Sequence, residues 1–359
     1  MSAPLSDRMH RARTGKLHLK ISFEAGASGA SALFPVAAGE DIMSQSRIHR
    51  IALVNVLLIA FALPVLAQSE KQKKSMPVGT PVLWRDPGNL QSRSLLLGAG
   101  GEAMKPDLRR VTFIENKTGG TSTKYRVKDA SGNEWVAKLG KEAQSDTAAN
   151  RLLWAMGYET EVAYLIPRLT IEGKGTFENV RLEARPKHID RAGDWKWENN
   201  PFTGTSQFQG LKVMMLLINN WDIKDSNNEV LVTRNKETGK NELRYIISDL
   251  GGSFGKTGGF FSRSRNKPSD YVEADFIKAV KADVIDFNYG GKSKKLFDNI
   301  RISDAKWIGS LLTRLSDEQI KDAFRASNYP PDEVERLSVA LKQRIEALNN
   351  VSSQVASRP

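Results

Sequence analysis

Tyr245-Ile246-Ile247-Ser248-Asp249-Leu250-Gly251-Gly252-Ser253-Phe254-Gly255, YIISDLGGSFG, is the stretch on which the reading of this chain turns. Tyr245-Ile246-Ile247 is an apolar run of strand type, and it delivers Asp249 into a glycine-rich turn. Two chemistries fit that shape. Residues 251–255 spell G-x-S-x-G, the sharp turn that exposes a hydrolase serine. Asp249-Leu250-Gly251 is equally a D-x-G turn, which can present a carboxylate to magnesium at nucleotide phosphates. The plain alternative is that the glycines only end a strand.

The hydrolase reading needs a histidine base, which follows the serine in chain order at such an elbow. No histidine follows Ser253, and His188 would have to serve out of order. A lysine-assisted serine has no supporting motif. The weight moves to phosphate chemistry.

Composition sets the outer bounds. The chain has 359 residues, 40% hydrophobic and 26% charged, which suits one large globular domain or two small ones. It has no cysteine, so disulfides, thiolate metal sites, cysteine nucleophiles and a lipoprotein anchor are excluded. The net charge of +12 reads as a basic soluble surface. Nucleic acid is not expected, because no dense Lys/Arg block is interleaved with aromatics.

The N-terminal third carries a targeting pattern. Arg47-Ile48-His49-Arg50 precedes an uncharged apolar run over 51–67, with Pro64 and Ala67 near its end. This is the pattern of a secretory signal peptide cleaved after Ala67, and a retained anchor is the alternative. Met43 is its natural start. The expected address is therefore export, to the periplasm or outside the cell. Removal of the presequence takes His10, His18 and His49, leaving His188 as the one histidine and making zinc chemistry a poor candidate.

The expected organisation has an upstream extension over 1–42, the signal peptide over 43–67 and an irregular wrapping arm over 68–110. A β-rich region follows over 111–185, then a helical region over 186–349 and a disordered tail over 350–359. Alternation predicts strands over 111–115, 124–129 and 134–140, with a hairpin turn over 129–133. A helix over 143–157 closes at Gly157, and AYLIPRLTI and ENVRLEARP read as two more strands. Helical spacing follows over 210–221, 270–286 and 303–315. Ser316 with Gln319 forms a capping box for the next helix. Pro330-Pro331 with following acids starts the last. Trp195 and Trp197 are either cleft-lining or, more simply, core packing.

A phosphate-transfer site needs several parts in order, and candidates stand in that order. Thr118-Gly119-Gly120-Thr121-Ser122-Thr123 lies between two strands, where backbone N–H groups could cradle anions. Lys138 follows on a strand as V-A-K. Asp146, or Glu142, on the next helix could orient it. Asp222-Ile223-Lys224-Asp225-Ser226-Asn227 supplies D-x-K-x-x-N after an apolar helix. Asp222 could accept a hydroxyl proton, Lys224 could offset phosphoryl charge, and Asn227 could bind metal. A strand hairpin, VLVT to LRYIIS, then leads into Asp249. The structural alternative is that Asp222 and Asn227 cap a helix end and the glycines terminate a strand.

At these residues the sequence resembles the protein-kinase-like superfamily over about 111–260, in its atypical phosphoinositide-kinase and toxin-kinase branch. It is also similar to a family of secreted bacterial proteins through LWRDPG (83–88), DTAANRLLWAMGY (146–158), NPFTGT (200–205), NNWDIKDSNN (219–228) and SDLGGSFG (248–255). The first resemblance implies an α+β, two-lobed kinase-like fold, with a small β-rich N-lobe and a helical C-lobe. It implies ATP and Mg bound through Gly119, Gly120, Thr121, Lys138 and Asp146, with Asn227 and Asp249 as metal ligands and Asp222 and Lys224 as catalytic residues. The chain departs from the pattern in three places. Its glycine loop lacks full G-x-G-x-x-G, Asn220-Trp221 stands where ordinary kinases have His-Arg, and Leu250 replaces phenylalanine. The implied function is a secreted kinase-like phosphotransferase acting on a protein or small-molecule acceptor. The alternatives are an inactive kinase-fold scaffold of the bacterial envelope and a surface-interaction protein using its basic face.

Overall fold

The computed structural model describes residues 76–119, 122–259 and 262–351. The expected extension 1–42, the signal peptide 43–67, Gly120 and Thr121 of the glycine loop and residues 352–359 lie outside the described residues. No helix among the described residues is long and apolar enough to cross a membrane.

Alternation in the first half builds an antiparallel sheet of five strands. They are β2 (Thr112–Lys117), β3 (Lys124–Lys128), β4 (Glu134–Lys138), β5 (Ala163–Ile171) and β6 (Gly175–Ala184), in the order β2-β3-β4-β6-β5. Successive side chains point to opposite faces, so the register sorts them. Trp135 and Ala137 face with Leu182 and Ala184 into a small apolar core that also holds Val127, Tyr164 and Val180. Val136 and Lys138 sit opposite Glu183 and Arg181, so the other face carries charge. The helix α1 (Glu142–Ala155) packs by that charged face and is almost wholly buried. It ends in a Schellman turn, in which Gly157 N–H bonds Trp154 O and Tyr158 N–H bonds Leu153 O. Gly157 has φ +91°, and a Cβ there would lie 2.1 Å from Arg85 O, so both conformation and space require glycine.

The second half is larger. The helix α2 (Ser206–Leu217) is capped by Thr205, whose hydroxyl accepts from Phe208 N–H, and runs through the main core. Strands β7 (Asp190–Gly193), β8 (Asn228–Arg234) and β9 (Asn241–Ile247) form a second sheet, with β8 and β9 as the expected hairpin. Helices α3 (Pro268–Glu273), α4 (Ile302–Leu312), α5 (Asp317–Arg325) and α6 (Pro331–Asn349) complete it. The Ser316–Gln319 capping box forms as the sequence predicts.

Three readings need correction. The helical spacing over 270–286 yields only α3; β10 (Ile277–Lys281) and β11 (Val284–Phe287) then pair antiparallel. β-branched residues there favour a pleated surface, and Ala282 at φ +51° makes the turn. The larger lobe is therefore not simply helical. Finally, the stretch 68–110 is more than irregular chain. β1 (Thr80–Val82) joins β9 in parallel at the edge of the second sheet, and Leu83, Leu90 and Leu95 are buried. Gln319 Nε2 holds the segment by donating to Leu90 O (2.7 Å) and Arg93 O (2.9 Å).

Candidate active site

Lys138 ends β4 on its charged face, and its ammonium meets three acids. Nζ lies 2.9 Å from Asp146 Oδ2, 2.9 Å from Asp249 Oδ1 and 3.3 Å from Glu142 Oε2. Asp146 and Glu142 are one helical turn apart on α1, so both expected orienting acids reach the same cation. Burial draws the Lys138 pKa down, but Asp146 and Asp249 more than offset it and the net direction is up. The lysine is held charged.

Asp249 follows β9. Burial pushes its carboxyl up, and Lys138 and the Gly251 N–H (3.1 Å to Oδ1) reverse this, leaving it below the ordinary value. Ser248 N–H and Asp249 N–H both donate to Asn227 O, at 2.8 and 3.3 Å, which ties the D-x-G turn to the loop after α2. The glycines serve close approach. A Cβ on Gly251 would sit 2.7 Å from Glu142 Cβ, and one on Gly252 would sit 2.9 Å from Asn220 Oδ1. Ser253 is fully buried, and its hydroxyl has no partner. His188 instead lines a cavity with Arg185 and Arg191. The hydrolase reading ends there.

The loop after α2 is positioned from beneath by a group the sequence did not single out. Arg344 of α6 is buried, and its guanidinium donates to Leu217 O (3.1 Å), Asn219 Oδ1 (2.9 Å), Tyr271 O (2.9 Å) and Ala274 O (3.0 Å). It thus satisfies a terminal carbonyl of α2 that the helix leaves unpaired. Beyond it, Asn220 Oδ1 accepts from Asp222 N–H at 3.0 Å, and Asn227 Nδ2 donates to Asp222 O (2.8 Å) and Oδ2 (3.4 Å). Lys224 Nζ lies 3.1 Å from Asp222 Oδ2, and Lys292 Nζ bonds Asp222 Oδ1.

The structure therefore brings Lys138, Asp146 and Asp249 into one cluster and Asp222, Lys224 and Asn227 into a second, joined through Asn227 O. Gly119, at φ +104°, closes the β2–β3 connection; Gly120 and Thr121 beside it lie outside the described residues. Ser122 Oγ donates to Glu142 Oε2 at 2.6 Å, and Arg265 pairs with the other oxygen of Glu142. Ser122 was named only as part of the glycine loop, and Arg265, Lys292 and Arg344 were missed as site residues. Their partners lie 20, 123, 70 and 127 residues away in sequence, beyond any local motif.

A cavity of about 540 Å³ opens where the first sheet meets the connection to the second, and Lys138, Asp222 and Asp249 are not among its walls. Val136, Arg126, Ala184, Arg185 and Leu231 are among its walls. Beneath it Glu161 and Glu183 share Arg185 and Arg191. Burial and the Glu183 carboxylate push Glu161 up, whereas Glu183 is held low by the arginines, against its own burial.

No family model matches the chain. No curated protein matches it. Solved structures do. The Helicobacter pylori proinflammatory kinase CtkA is 14% identical, covering 69% of this chain and 98% of its own, with a TM-score of 0.42. Hydra Fam20, solved with sugar, is 11% identical over 70% of this chain and 87% of its own, at TM-score 0.37. The Rio2 kinase of Chaetomium thermophilum, in an ADP/Mg2+-phosphoaspartate complex, is 13% identical over 68% of this chain and 74% of its own, at TM-score 0.30. In its own strand order this chain is α+β, with a five-stranded antiparallel sheet and one helix in the smaller lobe and a second sheet among helices in the larger.

Proposed function

We propose that this chain is an exported kinase-like phosphotransferase that uses ATP or a related nucleoside triphosphate with Mg2+. One observation carries the reading: Lys138 Nζ, 2.9 Å from both Asp146 and Asp249, joins a strand and a helix of the smaller lobe to the D-x-G turn of the larger. A structural ion pair needs only one acid. A buried lysine shared between an orienting acid and a carboxylate at the mouth of a cleft is an arrangement for phosphate.

The donor set suits a metal that arrives with phosphates. Asp249 keeps a third of its side chain exposed, and Asn227, with its NH2 turned to Asp222, offers its carbonyl oxygen. Among the described residues no group of three or more His, Asp or Glu could hold a metal alone. Mg2+ characteristically takes one or two protein ligands and completes its shell with phosphate oxygens and water. When bound, it would neutralise phosphate charge. The chain's own residues do the rest. Lys138 binds phosphate oxygen and is kept charged and oriented by Asp146 and Glu142. Asp222 accepts the proton of the acceptor hydroxyl, with Lys224 beside it.

The test is thermal unfolding of the full chain with ATP or GTP and Mg2+ or Mn2+, beside Asp249→Ala. A ligand specific to the folded state raises apparent stability by about 2.7 kcal/mol at a hundredfold excess over Kd. A metal-dependent rise that the variant loses is the expected result. No rise with any nucleotide rejects the reading.

One observation favours a second reading, a non-catalytic kinase-fold protein of the envelope. Both oxygens of Asp222 are occupied by lysines, which opposes proton acceptance. Nucleotide turnover that Asp222→Ala abolishes would exclude it.

A further inference from the structure

Asp222 sits in a cationic surround larger than phosphate transfer requires. Besides Lys224 and Lys292, Arg265 and Arg263 lie 4.9 and 5.5 Å from the ring centre of the neighbouring Trp221, and Lys292 Nζ lies 5.7 Å from it. Arg265 has Glu142 as a partner. Among the described residues, Arg263 donates to the backbone carbonyls of Gly258 (3.0 Å) and Gly290 (3.2 Å) and forms no ion pair. Lys294 and Lys295 are exposed and, among the described residues, form no ion pair. The nearby Asp225 is turned away, accepting from Trp197 N–H at 3.1 Å.

This rim is fixed in place. Lys292 N–H donates to Trp221 O at 2.8 Å, and Ser293 Oγ donates to Ile223 O at 2.9 Å. A Cβ on Gly291 would come 2.8 Å from Trp221 Cα, so the glycine lets the basic segment lie directly on the loop that carries Asp222.

We propose that the acceptor of this site is an acidic peptide segment, docked with its hydroxyl at Asp222 by Lys224, Lys292, Arg263, Lys294 and Lys295; this rests on the phosphotransferase reading above. The two lysines on Asp222 are about four-tenths exposed. Carboxylates flanking the acceptor hydroxyl attract them away from Asp222, and the freed Asp222 then takes the hydroxyl proton as that oxygen attacks phosphorus. The proton passes to Asp222, one O–P bond forms, and the bond to the leaving diphosphate breaks. Acidic acceptors thus relieve the inhibition that the lysines impose. A nucleic acid fits less well. Trp221, the ring at the centre of the patch, is covered by three cations and its Nε1 is buried, so it offers no stacking face.

The experiment measures fluorescence anisotropy of three labelled serine peptides on the full chain. One is rich in Glu and Asp, one is neutral and one is basic, all of equal length. Each is read across a salt series and on the double variant Lys294→Glu/Lys295→Glu, with Lys294→Gln/Lys295→Gln as a milder control. The acidic peptide is expected to bind at least about tenfold tighter than the neutral one, to weaken with salt, and to lose about tenfold on charge reversal. Equal binding of all three peptides, or no change on reversal, overturns the proposal. So does a single-stranded oligonucleotide that displaces the acidic peptide at equal concentration. Asp249→Ala separates the two claims. If it keeps acidic-peptide binding while nucleotide has no effect on the wild type, docking stands and the phosphotransferase reading falls. Nucleotide-dependent transfer to the basic peptide in preference to the acidic one sinks the acceptor assignment alone.

Discussion

At the scale of single residues, Ser253 separates a motif from its chemistry. G-x-S-x-G is present as a string, but the hydroxyl is fully buried with no hydrogen-bond partner. An unsatisfied buried hydroxyl costs free energy, so Ser253→Ala should be neutral or stabilising by up to about 1 kcal/mol and should leave nucleotide binding intact. Urea denaturation and the nucleotide-dependent thermal shift check both halves. A large loss of activity with unchanged stability would return the serine to the chemistry. Lys138, Asp222, Asn227 and Asp249 were legible as candidates because each lies within a short motif at an element end, whereas Asp146, inside α1, was picked with Glu142 only by its nearness to Lys138 in sequence. Lys292 was not, because a lysine in a glycine-rich loop acquires meaning only when the chain lays it on Asp222, 70 residues away.

At the scale of elements, the site depends on how α2 ends. Asn219, at φ +51°, turns the chain toward Asp222, and Arg344 grips that turn through two hydrogen bonds, to Leu217 O and Asn219 Oδ1, while two more tie it to Tyr271 O and Ala274 O. Burial pulls the Arg344 guanidinium down from its ordinary pKa, with Tyr271 opposing. Arg344→Leu removes a donor from four acceptors at once, of which Leu217 O keeps the Tyr271 hydroxyl. It should destabilise the chain by about 3 kcal/mol or more, measured by chemical denaturation. In the fraction that remains folded, nucleotide-dependent transfer should fall more than nucleotide binding, because Asp222 moves and Lys138 does not. A variant with wild-type stability would show that the turn is held by its own backbone. The failed helix over 270–286 belongs to the same scale. Apolar residues there satisfy helical and strand spacing together, and pairing with a neighbouring strand decided the outcome.

At the scale of the whole molecule, the two halves meet over a buried ionic network. Glu161 enters β5, Glu183 lies on β6, Arg185 follows it, and Arg191 on β7 leads on to Glu229 of β8. Burial, then the Glu183 charge, raise the Glu161 pKa to about 7. The sign follows from linkage. Between the ordinary carboxylate value and about 7 the folded state binds the proton more tightly than the unfolded chain. Stability from Glu161 is therefore complete at acid pH and is lost as pH rises through this window. The slope is at most about 1.4 kcal/mol per pH unit for one proton. Urea unfolding of wild type and Glu161→Gln from pH 4.5 to 7.5 should show the wild type losing stability relative to the variant as pH rises. Parallel profiles would mean that Arg185 and Arg191 keep Glu161 ionised throughout.

The sequence by itself determined the strand alternation of the smaller lobe, the capped helices, the order of the candidate phosphate-site motifs and the exclusion of cysteine chemistry. Those features are written in periods of two or 3.6 residues, or in motifs a few residues long, and local spacing suffices to read them. Only the tertiary structure decided that Glu142 and Asp146 share one lysine, that 80–82 completes the second sheet, that Ser253 is buried and that lysines close on Asp222 from both sides. Each of these is set by groups brought together across tens of residues, where burial and charge pairing fix the geometry and no local pattern records it.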